Sequence, residues 1–183
     1  MVLLVFYSLC LLSVLGLGAA AAVSDVRGMT IPNLYSVLVF AVFIVCFAGL
    51  SVFGYADMFG VALSHGLSFV CVFVAGFALY MLRVWGAGDQ KLISGFAVWF
   101  AFSDVPMFVF YVIVFGGALG VVSLVIRRFG LFPRAVAGGW IAKLHAGEGK
   151  VPYGVAIALG ALFAFIKAGY FDAGVFAGFL DSE

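Results

Sequence analysis

Charge is what this chain has least of. Only 9% of its 183 residues are Asp, Glu, Lys or Arg, where an ordinary soluble domain carries about 25%. So little charge cannot clothe a water-facing surface of that size. A formal net charge of +1 also leaves no basic face or stripe of the kind nucleic acid requires, and no nucleic-acid partner is expected. The three cysteines, Cys10, Cys46 and Cys71, stand singly inside apolar runs. Without paired spacing or a neighbouring histidine they exclude a disulfide framework and a zinc motif, and they read as buried packing residues. No metal or cofactor is expected.

What is abundant is apolar sequence. Hydrophobic residues make up 67% of the chain, with 22 Phe and 24 Gly, and the mean hydropathy is +1.31. The apolar runs are continuous rather than alternating, which excludes a membrane barrel and predicts an all-α polytopic membrane protein. Residues 1–183 read as one integral-membrane domain.

Six runs are expected to cross. The first, Val2 to Val23, is long enough for a span and lacks the basic start of a signal peptide. A polar patch, Ser24-Asp25-Val26-Arg27-Gly28-Met29-Thr30, follows, with Thr30 and Pro32 expected to cap a second span from Leu34 to Phe53. After the turn Gly54-Tyr55-Ala56-Asp57 a third run reaches Leu82, with His65 read as packed or interfacial. The patch Trp85 to Leu92 then interrupts. The fourth run, Leu92 to Phe102, would reach only about 16 Å at 1.5 Å per residue, so its Asp89 end is expected below the membrane surface. Ser103-Asp104-Val105-Pro106 opens a fifth span, Met107 to Ile126. The basic stretch 127–150 reads as a loop or surface helix, amphipathic around Ala135 to Leu144. Pro152-Tyr153-Gly154 opens the sixth span, ending near Tyr170 before a short tail.

The scarce charges fix the sides. If each run crosses once, Arg27, Arg83, Lys91, Arg127, Arg128, Arg134, Lys143 and Lys150 share one face, eight of the nine basic residues. The positive-inside rule makes that face cytoplasmic and puts both termini outside. Three acids remain on it: Asp25, Asp89 and Glu148. Two of these end or begin spans, where helix packing can hold them together.

Two neighbouring carboxylates share a proton, so one can act as base toward water while the other donates to a scissile carbonyl. Helix dipoles favour Asp89, ahead of a helix, as the ionised base and Asp25, at a helix end, as the acid. Gly86 and Gly88 would let the backbone turn and a substrate strand approach. Arg27 and Lys91 would hold charge nearby or anchor the membrane face. The residues leave open a small proton- or cation-coupled transporter, in which the same acids relay charge, and a presenilin-like intramembrane protease.

At these positions the chain resembles the type IV prepilin peptidases, membrane aspartic proteases, and in particular their short Flp/Tad-pilus members. The resemblance rests on Ser24-Asp25-Val26-Arg27 with Ile31-Pro32-Asn33, on Gly86-Ala87-Gly88-Asp89-Gln90-Lys91-Leu92, and on Val151-Pro152-Tyr153-Gly154-Val155-Ala156-Ile157-Ala158. It implies catalytic Asp25 and Asp89, and an endopeptidase that removes the short basic leader of a prepilin or pseudopilin at the cytoplasmic edge of the inner membrane. The larger members' cytoplasmic segment with paired cysteines has no counterpart here, and N-methylation is not expected.

Overall fold

Continuous apolar sequence in a bilayer leaves the backbone no partner but itself, and helices satisfy it within each segment. The computed structural model describes residues 1–55, 59–132 and 138–180, and every regular element among them is helical. The long helices are α1 (Val2–Gly28), α2 (Asn33–Val52), α3 (Ala62–Met81) and, after a 3-10 turn at Phe102–Asp104, α5 (Val105–Phe129). These four regions are long and apolar enough to cross a membrane. Shorter helices are α4 (Ala87–Ala97), α6 (Trp140–His145), α7 (Tyr153–Lys167) and α8 (Ala173–Leu180).

The shortest apolar run is the most enclosed. Residues Leu92, Ala97, Trp99 and Phe100 are fully buried, because α4 stands at the centre with α2, α3 and α7 around it. Small residues permit that approach: a methyl group at Gly95 would lie 3.0 Å from the Ser36 carbonyl oxygen on α2. Trp99 Nε1 donates to the Val39 carbonyl at 3.1 Å, pinning the far end of the segment to α2. In register with α3, Gln90 packs at Gly76 and the Phe102 N–H donates to Ser64 Oγ at 2.8 Å. The buried run therefore travels from near one end of α3 to the other.

Around this centre the outer helices turn apolar side chains such as Leu12, Val37, Phe77 and Leu124 outward, the surface a bilayer would cover. Charge separates along the bundle. At one end gather Arg27, Arg83, Lys91, Arg127, Arg128, Lys143 and Lys150, and at the other Asp104, Lys167 and Asp172. Arg134, Asp57, Asp181 and Glu183, assigned to sides from the sequence, lie outside the described residues, as do parts of the expected Gly54-to-Asp57 turn and of the 135–144 stretch.

Several boundaries differ from the sequence reading. Helix α1 continues through the polar patch to Gly28, and Met29 ends it in a left-handed conformation (φ 56°) with its N–H on the Asp25 carbonyl. Asp25 thus projects from a helix rather than a loop. Thr30 does not cap α2: its carbonyl accepts Ser24 Oγ at 2.9 Å, and α2 begins after Pro32. The Gly-x-Gly-Asp stretch is itself the first turn of α4. The tail forms α8, whose buried Phe179 packs on Tyr7 at a 5.4 Å ring separation. Cys10 and Cys46 are buried as expected, but Cys71 is exposed, lining an open groove beside α3.

His65 is packed. Its Nδ1 lies 2.8 Å from the Val98 carbonyl oxygen and its Nε2 2.6 Å from that of Phe59, among the rings of Phe43, Phe47 and Phe59. These contacts lock the start of α3 to the end of the central segment.

Candidate active site

Three helix ends meet at the basic end of the bundle. Asp25 lies one turn before the end of α1, Asp89 in the first turn of α4, and Gly154 in the first turn of α7. The Gly154 N–H donates to Asp25 Oδ2 at 2.8 Å. A helix's first N–H groups have no partner within the helix, so one of these orphan donors is free to serve a carboxylate from another element. Asp89 uses the same device locally, its Oδ2 accepting the Gly86 N–H at 3.1 Å across the first turn of α4.

Ile31 is the wedge that sets the spacing. A methyl group on Gly88 would lie 3.1 Å from Ile31 Cβ, and one on Gly154 would lie 3.0 Å from Ile31 Cδ1 and 3.1 Å from Asp25 Cβ and Oδ2. The α1–α2 connection is thus clamped between the starts of α4 and α7, drawing both toward Asp25. This changes the expected role of the glycines. Gly86 has ordinary extended backbone (φ −76°, ψ 153°), and a side chain there would press on Asp89 Oδ2 at 2.9 Å. What Gly86 and Gly88 supply is room for the carboxylate and for Ile31, rather than a sharp turn.

Asp25 and Asp89 line one cavity of about 630 Å³ with Arg83, Lys150, Trp85 and Tyr153. Asp25 is 5% exposed, and Asp89 is partly buried. Two carboxylates lining one cavity cannot both be ionised without cost, so the pair holds a shared proton.

The other sequence candidates fall outside the cavity. Lys91 donates to Asn33 Oδ1 at 3.0 Å on the exposed side of α4, where it ties α4 to α2. Arg27 borders a separate recess with Ser24 and Tyr35, since two residues along a helix carry it well around α1 from Asp25. Residues not singled out take their place. Arg83 and Lys150 face the cavity, and Lys143 donates from α6 to the Gly28 carbonyl at 3.2 Å while its charge acts on Asp25. Among the described residues no group of three or more His, Cys, Asp or Glu side chains converges to hold a metal ion.

The site is recessed. Tyr153 opens α7 beside Gly116 of α5, leaving 117–129 of α5 to rise roughly 20 Å further at 1.5 Å per residue. Ile126 on that extension packs with Trp140 and Leu144 of α6, forming a wall that carries Arg127, Arg128 and Lys143.

A family model described as the type IV leader peptidase family matches residues 11–121, a stretch that holds both aspartates and the Gly-x-Gly-Asp turn. The chain belongs to that family. Leader peptidase membership makes it a peptidase and, with its long apolar helices, a multi-pass membrane protein. The matched stretch stops short of α7, so the Gly154 partner of Asp25 is read from the geometry rather than from the family match. No curated protein and no solved structure matches the chain.

Proposed function

We propose that this leader peptidase is an aspartic endopeptidase of the inner membrane, cutting the short basic leader from prepilin-like proteins with Asp25 and Asp89. The observation that carries the reading is a single cavity holding both carboxylates, one of them bonded to the Gly154 N–H of a third helix. Two carboxylates in one cavity share a proton, and the shorter N–H bond, 2.8 Å to Asp25 against 3.1 Å to Asp89, favours Asp25 as the ionised base and Asp89 as the acid, the reverse of the assignment from helix dipoles.

The chemistry follows from that proton. Asp25 takes a proton from water as the oxygen attacks the scissile carbonyl carbon, and Asp89 gives its own to the carbonyl oxygen. Collapse of the tetrahedral intermediate breaks the C–N bond. Asp25 passes its proton to the leaving amine, and Asp89 recovers one as the carboxyl product forms. The pair is then ready for another turn without metal or covalent intermediate.

Topology supports the same reading. With α4 and α7 counted beside the four long helices, six crossings put the basic end in the cytoplasm and both termini outside. A basic leader entering from that side meets the recessed carboxylates at the membrane edge. Subtype and substrate follow the Flp/Tad resemblance, and 1–183 acts as one membrane domain.

Co-expression with a prepilin-like protein, scored by the size of the pilin on a gel, tests the pair. Asp25→Ala and Asp89→Ala should each leave the leader attached. Normal processing by either variant refutes the paired-acid mechanism.

A further inference from the structure

Two apolar grooves run along α3, one on each side, and they differ in where they lead. On one side a groove of about 350 Å³ lies between α3 and the start of α5, with Cys71, Ala75 and Gly76 on one wall, Val109 on the other and Ile93 of α4 as its floor. Its head is Trp85, which also lines the aspartate cavity and stands 6.1 Å, ring to ring, from Tyr153. On the opposite side a groove of about 400 Å³ lies between α2 and α3. The Lys91 to Asn33 hydrogen bond crosses its head, and it shares no lining residue with the aspartate cavity.

We propose that the α3–α5 groove is the docking site for the apolar helix that follows the scissile bond of the substrate. The proposal rests on the leader-peptidase reading and adds where the uncut part of the substrate lies. Both carboxylates sit below the ends of α3 and α5, so a peptide bond reaching them brings its apolar side into the bundle. Of the two grooves, this one borders the carboxylate cavity, the two sharing Trp85 as a lining residue. The wall of Cys71, Ala75 and Gly76 lets a second helix come close, as small residues do at membrane helix contacts. No charged side chain lines the trough, which suits a wholly apolar segment and excludes the leader.

The register is set by α3. Gly76 packs at Gln90, next to Asp89, and Cys71 lies five positions earlier, about 7.5 Å deeper at 1.5 Å per residue. A substrate helix beginning at the cut therefore brings its residue about five or six positions beyond the scissile bond to Cys71.

The native thiol provides the test. A prepilin-like substrate with a basic leader, carrying single cysteines along its apolar helix, is oxidised in membranes with the full-length enzyme bearing Asp89→Asn to hold the uncut substrate. Disulfide formation is expected to peak about five or six residues past the cut, to recur every three to four residues, and to vanish in a Cys71→Ser enzyme. In an otherwise wild-type enzyme, Ala75→Phe fills the trough and is expected to raise KM at least fivefold with kcat within twofold. Uniform or absent crosslinking, or an unchanged KM, while wild-type enzyme still removes the leader overturns the groove and leaves the peptidase reading standing; an acyl chain as sole occupant gives that result. Failure of the wild-type enzyme to cut any such leader overturns both.

Discussion

Substituting alanine at Gly154 puts the site's assembly to a direct test. The added methyl would stand 3.1 Å from Asp25 Cβ and 3.0 Å from Ile31 Cδ1, where carbon atoms prefer about 3.5–4.0 Å. Ile31 Cδ1 is the end of a flexible side chain and can turn away. Asp25 Cβ cannot, so the start of α7 must move off by a few tenths of an ångström, stretching the 2.8 Å bond from the Gly154 N–H to Asp25 toward the limit of about 3.2 Å for a good N–H···O contact. A hydrogen bond to a charged group is worth roughly 1.5–3 kcal/mol. At 1.36 kcal/mol per decade that is a fall of roughly 10- to 150-fold in kcat. Purified Gly154→Ala enzyme in detergent, assayed on a prepilin-like substrate with its melting temperature recorded beside it, should lose rate before it loses stability. Gly160→Ala is the contrast: its methyl would meet Val112 Cγ2 at 2.6 Å and Val112 N at 2.8 Å inside the α5–α7 contact, so it should lose stability first. A folded Gly154→Ala enzyme with kcat within twofold of wild type refutes the role given to this N–H.

A pair that works with one shared proton should make leader cleavage fall on the alkaline side, where that proton is lost, in a pH profile of the purified enzyme. Asp89→Asn, which keeps the shape and removes the exchangeable proton, should be inactive in the same assay. Lys143→Met removes the bond to the Gly28 carbonyl and a cation acting on Asp25; a partly exposed interaction of about 1 kcal/mol predicts roughly a fivefold loss of kcat with little change in KM, and partial rescue by Lys143→Arg in the same cleavage assay.

Scarcity made the aspartates legible. Where nearly every position is apolar, an acid at a helix end has few explanations, and the charge count alone put Asp25 and Asp89 on one face. The central position of α4 was not legible. The run Leu92 to Phe102 read as a short crossing, whereas α4 spans Ala87–Ala97, and its being surrounded by α2, α3 and α7 depends on Gly95 meeting the Ser36 backbone, a contact without sequence periodicity. Ile31 looked like one more apolar residue in a motif because its two glycine partners lie far along the chain. Lys143 was counted only as an anchor, since a short helix in a basic stretch gives no sign of which carbonyl it will reach. For Arg27 and Lys91 the sequence left two readings, charge near the site or an anchor at the membrane face, because nearness to an aspartate along the chain does not say which way a helix turns; in the fold both line recesses other than the aspartate cavity. For α8, the tail after Tyr170 held Phe176 and Phe179 in plain view, and its brevity concealed that they cover Tyr7.

The bond between Gly154 and Asp25 joins residues 129 positions apart. During synthesis both aspartates emerge long before α7 does, and for that interval Asp25 lacks the N–H that holds it. A chain interrupted anywhere between Asp89 and Gly154 would carry the two acids without the clamp that pairs Ile31 against two helix starts. Insertion of α7 therefore completes the surroundings of Asp25: the N–H that holds its carboxylate arrives only with the helix carrying Gly154.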